Sequence, residues 1–217
     1  MRNNASVSIW ISILHLSFSE IKKGSPYLPQ VQALYESAFP ANERIPIKHL
    51  LDDKIKREFW AFFEDGLREN NGENGDNEIA AVKNTVTEIA ATPRFCGFSN
   101  SITHGDITNI VYFAVVPELR SRGYGSQILQ AIRRQHPNTR LVVDIEVEED
   151  SKDAGELERR NRRRDFYQRN GFDSSPVDYV WQGEHYRLLS AGGTVTEKEF
   201  RDFWKEILKD IPGAKYP

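Results

Sequence analysis

One cysteine, Cys96, is all this chain of 217 residues contains, so no internal disulfide can form and no thiolate zinc site can be built. That scarcity predicts an intracellular, cytoplasmic protein. Its five histidines (His15, His49, His104, His136, His185) are scattered without metal-ligand spacing, so no metal is expected. No apolar run approaches transmembrane length, and no membrane partner is expected. Residues 7–18 are apolar behind Arg2, like a short secretory leader, but serines, Trp10 and His15 break the block and no small-residue cleavage site follows. Excess positive charge is missing too: a net charge of −3 argues against nucleic acid as a main partner. There are no internal repeats, and the one low-complexity stretch is the polar, glycine-spiked segment 65–78, expected to be a mobile insertion. Gly97-Phe98-Ser99-Asn100-Ser101 lacks the last glycine of a nucleophile elbow and runs into a strand, which removes a serine hydrolase. Cys96 lies on a strand expected to be buried, with no evident base, which removes a thiol nucleophile.

What is present suits one core. Hydrophobic residues make up 39% and aromatics 11%, enough for a single domain over 1–217. The organising stretch is 110–132. An apolar β-branched run (Ile110, Val111, Phe113, Val115, Val116) stops at Pro117, Arg120 to Ser126 form a glycine-bearing turn, and Ile128, Leu129 and Ile132 recur at helical spacing. Gly123 and Gly125 allow positive φ or close backbone approach. The first N–H groups of the next helix lack intrahelical partners and sit at its positive end. With Arg120 and Arg122 they make a socket for phosphate or pyrophosphate. The plainer alternative is a tight strand-to-helix turn with two solvated arginines.

The wording of the turn goes further. It is no Walker loop, since no Gly-Lys-Ser/Thr follows, and it lacks the first glycine of a dinucleotide fingerprint. Ala114-Val115-Val116-Pro117 followed by Arg120-x-x-Gly123-x-Gly125 resembles motif A of the GNAT superfamily, the acyl-CoA-dependent N-acetyltransferases. Phe166-Tyr167-Gln168-Arg169-Asn170-Gly171-Phe172 is similar to motif B, and the resemblance continues to roughly Leu189. It implies an α/β (α+β) fold: a mixed, mostly antiparallel seven-stranded sheet flanked by helices. It also implies acetyl-CoA as cosubstrate, held by Val115, Arg120, Arg122, Gly123, Tyr124, Gly125 and Ser126. Tyr167 falls where the family's tyrosine faces the CoA sulfur, which makes it the candidate acid. The plainer reading is a core tyrosine with its hydroxyl at the surface. An asparagine often found seven residues before that tyrosine is Arg160 here, which leaves Asn161, one position off, as a weak candidate.

Taken in order, Val7, Ile9, Ile11 and Ile13 alternate as a half-buried strand ending anywhere up to Phe18. Val31, Leu34, Tyr35 and Ala38 give a helical stripe, and a second helix is expected over 47–57. By resemblance the loop between them borders the acceptor cleft, so Glu43 and Arg44 are substrate-side candidates, or else an exposed ion pair worth little. Strands are expected at 58–63, at 95–101 with a bulge near Gly97, and at 107–115. Residues 141–148 alternate strictly, placing Asp144, Glu146 and Glu148 on one face of a strand parallel to 107–115. In the family these two strands splay around the acyl-CoA arm, and an acid near the splay can serve as base. An amine arrives protonated and must lose its proton before attack. Mid-strand Glu146 is the choice, with Asp144 and Glu148 as fallbacks, against the plainer reading of a solvated strand face. Residues 156–170 read as a charged helix with six arginines between Arg159 and Arg169. A hairpin follows over 177–181 and 185–189. Last comes a helix at 196–209, opened by a Thr196–Glu199 capping box and beyond the usual core.

These readings give an N-acetyltransferase acting on a primary amine by direct attack, on a small-molecule or peptide acceptor, as a monomer or homodimer. The alternatives are a non-catalytic acyl-CoA-binding sensor or scaffold and, more weakly, an RNA-associated protein using the arginine helix.

Overall fold

The computed structural model describes residues 16–64, 93–211 and 213. Seven strands form one sheet in the order β1-β2-β3-β4-β5-β7-β6. They are β1 (Leu16–Glu20), β2 (Arg57–Glu64), β3 (Arg94–His104), β4 (Ile107–Val115), β5 (Arg140–Glu146), β6 (Asp173–Trp181) and β7 (Glu184–Ala191). Every neighbouring pair is antiparallel except β4–β5. Helices α3 (Tyr124–Gln135) and α4 (Ala154–Arg169) cover one face, where Ile128, Leu129 and Ile132 pack with Ile110, Val143 and Ile145. Helices α1 (Leu28–Ala38), α2 (Ile47–Leu50) and α5 (Glu197–Leu208) cover the other. This is the mixed, mostly antiparallel seven-stranded architecture the motifs implied. The strand expected from residue 7 and the insertion at 65–78 lie outside the described residues, although β1 continues in the region where that strand was to end.

Two expected elements differ. The helix predicted over 47–57 is one turn, because Asp52 accepts the Lys54 N–H (2.9 Å) and turns the chain so that β2 starts at Arg57. β5 ends at Glu146, and Glu148 opens a short 3-10 turn. Glu148 is therefore not on the face shared by Asp144 and Glu146. It is 9% exposed and pairs with Arg164 (2.8 Å) and Arg187 (3.8 Å).

Two bulges shape the sheet. Phe62 pairs with Gly97 and Phe63 with Phe95, so Cys96 is an extra residue beside Gly97, as the glycine suggested. A Cβ on Gly97 would collide with the Ala114 carbonyl oxygen, so only glycine fits there. On β4, Tyr112 pairs with Asn100 and Ile110 with Ser101, which leaves Val111 as the extra residue. The bulge shifts the alternation of side chains by one position.

The predicted capping box opens α5. Thr196 Oγ1 accepts the Glu199 N–H (3.3 Å), and Glu199 accepts the Thr196 N–H (2.8 Å). Phe200 and Phe203 are thereby aimed into the core. Thr196→Ala is expected to lower unfolding stability by about 1 kcal/mol in urea titrations.

Candidate active site

The turn after β4 builds the first half of the site. Pro117–Leu119 form a 3-10 turn, and Arg120 folds back so that its Nε donates to the Val115 carbonyl (3.1 Å). Gly123, at φ +87°, caps α3 without any side-chain hydrogen bond, so the first N–H groups of the helix remain open. They face a cavity of about 550 Å³ whose β4 side is Phe113, Val115, Arg120, Gly123, Gly125 and Ser126. Its α4 side includes Arg162, Arg163, Phe166, Tyr167 and Arg169. A Cβ at Gly125 would come within 3.0 Å of the Phe166 ring, which keeps this wall close to the helix amides. Open N–H groups at a helix start and three arginines (Arg120, Arg162, Arg169) suit the phosphates of a coenzyme A group.

Three expected cofactor residues do not present side chains here. Tyr124 is 5% exposed and packs with Cys96 and Leu119, and burial, with Glu64 adding to it, pushes its hydroxyl up to about 12. Its side chain is not part of the socket lining. Arg122 is exposed and, like Asn161 on α4, lies outside this lining. Arg160, at the position of the family's asparagine, is 5% exposed and structural. It donates to Val147 O (2.6 Å) and pairs with Glu156 (2.8 Å) and Glu184 (3.3 Å). Cys96 is fully buried, and burial pushes its thiol up to about 11.

The two faces of the sheet meet where β4 and β5 part. Their pairing covers only Ile107–Asn109 against Arg140–Val142, while β5 stays paired with β7 to Glu146. Tyr167 on α4 stands at this gap, 8% exposed, its hydroxyl pushed up to about 12 by burial against the pull of Arg163. Asp144 and Glu146 face the opening. Burial pushes the Asp144 carboxyl up to about 6, partly offset by the Tyr179 hydroxyl and Asn109 amide beside it, and its Oδ1 has no hydrogen-bond partner among the described residues. Glu146 is ion-paired with Arg163. Arg163 lines both cavities; burial works against its charge, but Glu146 outweighs this and raises its pKa.

Beyond the gap lies a second cleft of about 530 Å³. The β4 bulge turns both Val111 and Tyr112 into it, while Phe113 faces the first cavity. Tyr112 Oη donates to Glu43 O (2.7 Å) and accepts the Ile45 N–H (3.1 Å), and Tyr35 Oη donates to Ile45 O (2.9 Å). These bonds hold the loop bearing Glu43 and Arg44 against the opening, and both residues line the cleft. Burial raises the Glu43 carboxyl and the nearby Glu146 raises it further.

Other lining residues were not singled out by sequence. Tyr179 and Tyr186 pair across the β6–β7 hairpin, 5.6 Å between ring centroids; counting outward from the Gln182-Gly183 turn would have matched them. Arg163 sits four residues before Tyr167, a spacing that places both on one helix face. Arg57 carried no local signal, and Trp204 stood only on the apolar stripe of the last helix. Four of the six α4 arginines pair with acids, Arg160, Arg162, Arg163 and Arg164, so this face is not an unpartnered basic stripe. Among the described residues, no His/Cys/Asp/Glu group could hold a metal, and no helix is long and apolar enough to cross a membrane.

Residues 79–174 match the family model described as the acetyltransferase (GNAT) domain. A solved structure from Bacteroides thetaiotaomicron, described as an acetyltransferase of the GNAT family, superposes with TM-score 0.61 at 20% identity, covering 92% of this chain and 99% of that one. A mutant spermidine N-acetyltransferase from Vibrio cholerae gives TM-score 0.50 at 11% identity over 81% of this chain and 92% of its own. At these identities the likeness concerns the fold. No curated protein matches the chain.

Proposed function

Since residues 79–174 match the family model described as the acetyltransferase (GNAT) domain, we propose that this protein belongs to that superfamily and transfers an acetyl group from acetyl-CoA to a primary amine by direct attack. One observation carries the reading: a phosphate-suited cavity and an acceptor cleft meet at the β4/β5 gap, with a tyrosine and two carboxylates at the junction. When bound, acetyl-CoA supplies the activated acetyl thioester. The α3 amides and Arg120 hold its phosphates, with Gly123, Gly125 and Ser126 giving them room. Val115 lines the path of the arm.

The acceptor's ammonium group enters from the other side, beside Glu43, Asp144 and Glu146. Asp144 is the better proton acceptor of the pair on β5. Protonating Glu146 would break its ion pair with Arg163, whereas an Asp144 carboxyl near 6 is ionised at neutral pH yet basic enough to take a proton. Glu146 then orients Arg163 and draws the cation inward. Tyr167, protonated at any working pH, donates to the departing thiolate. This assignment departs from the sequence-level choice of Glu146 because of that ion pair.

The reading is tested by calorimetry of acetyl-CoA binding, followed by thiol release with a panel of amines. Gly123→Glu should weaken binding by at least about a hundredfold, roughly 2.7 kcal/mol, through a negative charge in the socket. Gly123→Ala, which imposes only the strain of φ +87°, roughly 1–2 kcal/mol, separates geometry from charge. No binding by the folded protein would overturn the transferase reading. Binding without turnover of any amine would leave the sensor or scaffold.

A further inference from the structure

Arg57 is the outlier of the acceptor cleft. It opens β2 and points over β3, where Nη1 donates to Asn100 Oδ1 (3.2 Å). Its Nε is buried without a partner, and among the described residues no carboxylate lies within ion-pair distance of it. The other buried or half-buried arginines differ. Arg140, Arg160, Arg164 and Arg187 each have an acid, Arg133 is held by two carbonyls, Thr139 O and Ala191 O, and Arg44 Nη1 donates to Glu36 O (3.3 Å). Asp52, which lines the same cleft, accepts the Lys54 N–H and forms no ion pair with Arg57 among the described residues. Burial lowers the pKa of Arg57, with only the Tyr112 and Tyr35 hydroxyls opposing it. A cation taken partly out of water without a counter-charge is unfavourable unless something negative joins it.

The register places that counter-charge. Arg57 pairs with Ile102, Ile102 with Asn109, and Asn109 with Val142, so the four share one row across the sheet on the cleft side. Asp144 lies two residues further along β5 on the same face. The guanidinium over β3 and the carboxylates on β5 are thus about two strand spacings apart, roughly 10 Å. The sheet between them is polar: the Asn100 Nδ2 and Asn109 Oδ1 are buried without partners, as is the Trp204 Nε1 on α5, which lines the cleft from the other side. One end of the cleft is built for an ammonium group and the other for an anion.

We propose that the acceptor is an amine that also carries a carboxylate, an amino acid or short peptide, bound with its amine at Asp144 and Glu146 and its carboxylate at Arg57. The inference rests on the transferase reading above and adds the acceptor's second charge to it. Arg57 touches substrate but no reacting atom, so its role is to bind and orient.

The test is thiol release from acetyl-CoA with a ladder of ω-amino acids from glycine to 6-aminohexanoate and with glycylglycine. Each is run beside its methyl ester and the matching alkylamine, and 3-aminopropylphosphonate is included. The expected result is at least about a tenfold preference in kcat/KM for free carboxylates over esters, mostly in KM, with an optimum chain length. Arg57→Gln should erase that preference while leaving acetyl-CoA affinity unchanged. If Arg57→Gln fails to fold, the acid-against-ester comparison on the wild-type protein decides alone. Equal rates for acids and esters, better rates for alkylamines, or no turnover of the ladder despite acetyl-CoA binding would each overturn the inference and leave the transferase reading standing. Preference for the phosphonate would replace carboxylate by phosphate. Absence of acetyl-CoA binding would overturn both.

Discussion

Tyr167→Phe is expected to lower kcat by about 10²–10⁴ while leaving acetyl-CoA affinity nearly unchanged. Among the described residues the hydroxyl makes no hydrogen bond that holds the fold, and the ring packs against Phe166 and Phe172 at centroid distances of 5.1 and 5.4 Å, contacts that phenylalanine retains. Under the proposed mechanism, what is lost is a proton donor at the β4/β5 gap, felt only as the thiolate leaves. Steady-state kinetics and calorimetry on the same preparation check this. An unchanged kcat would mean that the leaving group departs without Tyr167, and a parallel fall in affinity would mean a binding role instead.

Asp144→Asn should do two things at once. Asparagine has the same shape but accepts no proton, so kcat/KM is expected to fall by about 10²–10⁴. The base works only when ionised. Wild-type activity should therefore rise with pH through about 6 and be lost below it, and that limb should vanish in the variant. Stability should move the other way. The folded carboxyl titrates near 6 against 3.8 for the ordinary group, so the folded state binds the extra proton between those values and loses stability as pH rises through them. At pH 7–8 the ionised Asp144 thus costs folding up to roughly 3 kcal/mol, which the amide relieves in part. A variant that is inactive and melts higher at pH 8, but not at pH 4, is the expected signature. If Asp144→Asn keeps activity and Glu146→Gln does not, the base is Glu146.

The strand–turn–helix from Ile110 to Ile132, the Tyr167–Phe172 helix end, the strand spans and the Thr196 capping box were legible because each depends on residues within a few positions of one another. Apolar period, glycine placement and side-chain-to-backbone caps are short-range properties. The turn that lines the first cavity was legible for the same reason, since its residues are consecutive. Even there, the motif states which residue occupies a position but not which way its side chain points, and Tyr124 turns inward to pack with Leu119 and Cys96.

The sequence by itself determined the family resemblance, the phosphate-suited turn and the presence of acids on one strand. Only the tertiary structure decided which acid remains free, that Glu148 leaves the strand, and that the Val111 bulge turns two consecutive residues into the cleft. It also decided that Arg57, Tyr112, Asp144, Tyr179 and Trp204 line one cavity. These residues lie up to 147 positions apart from Arg57 to Trp204, and their meeting is set by sheet register and helix packing, long-range choices with no local pattern to announce them.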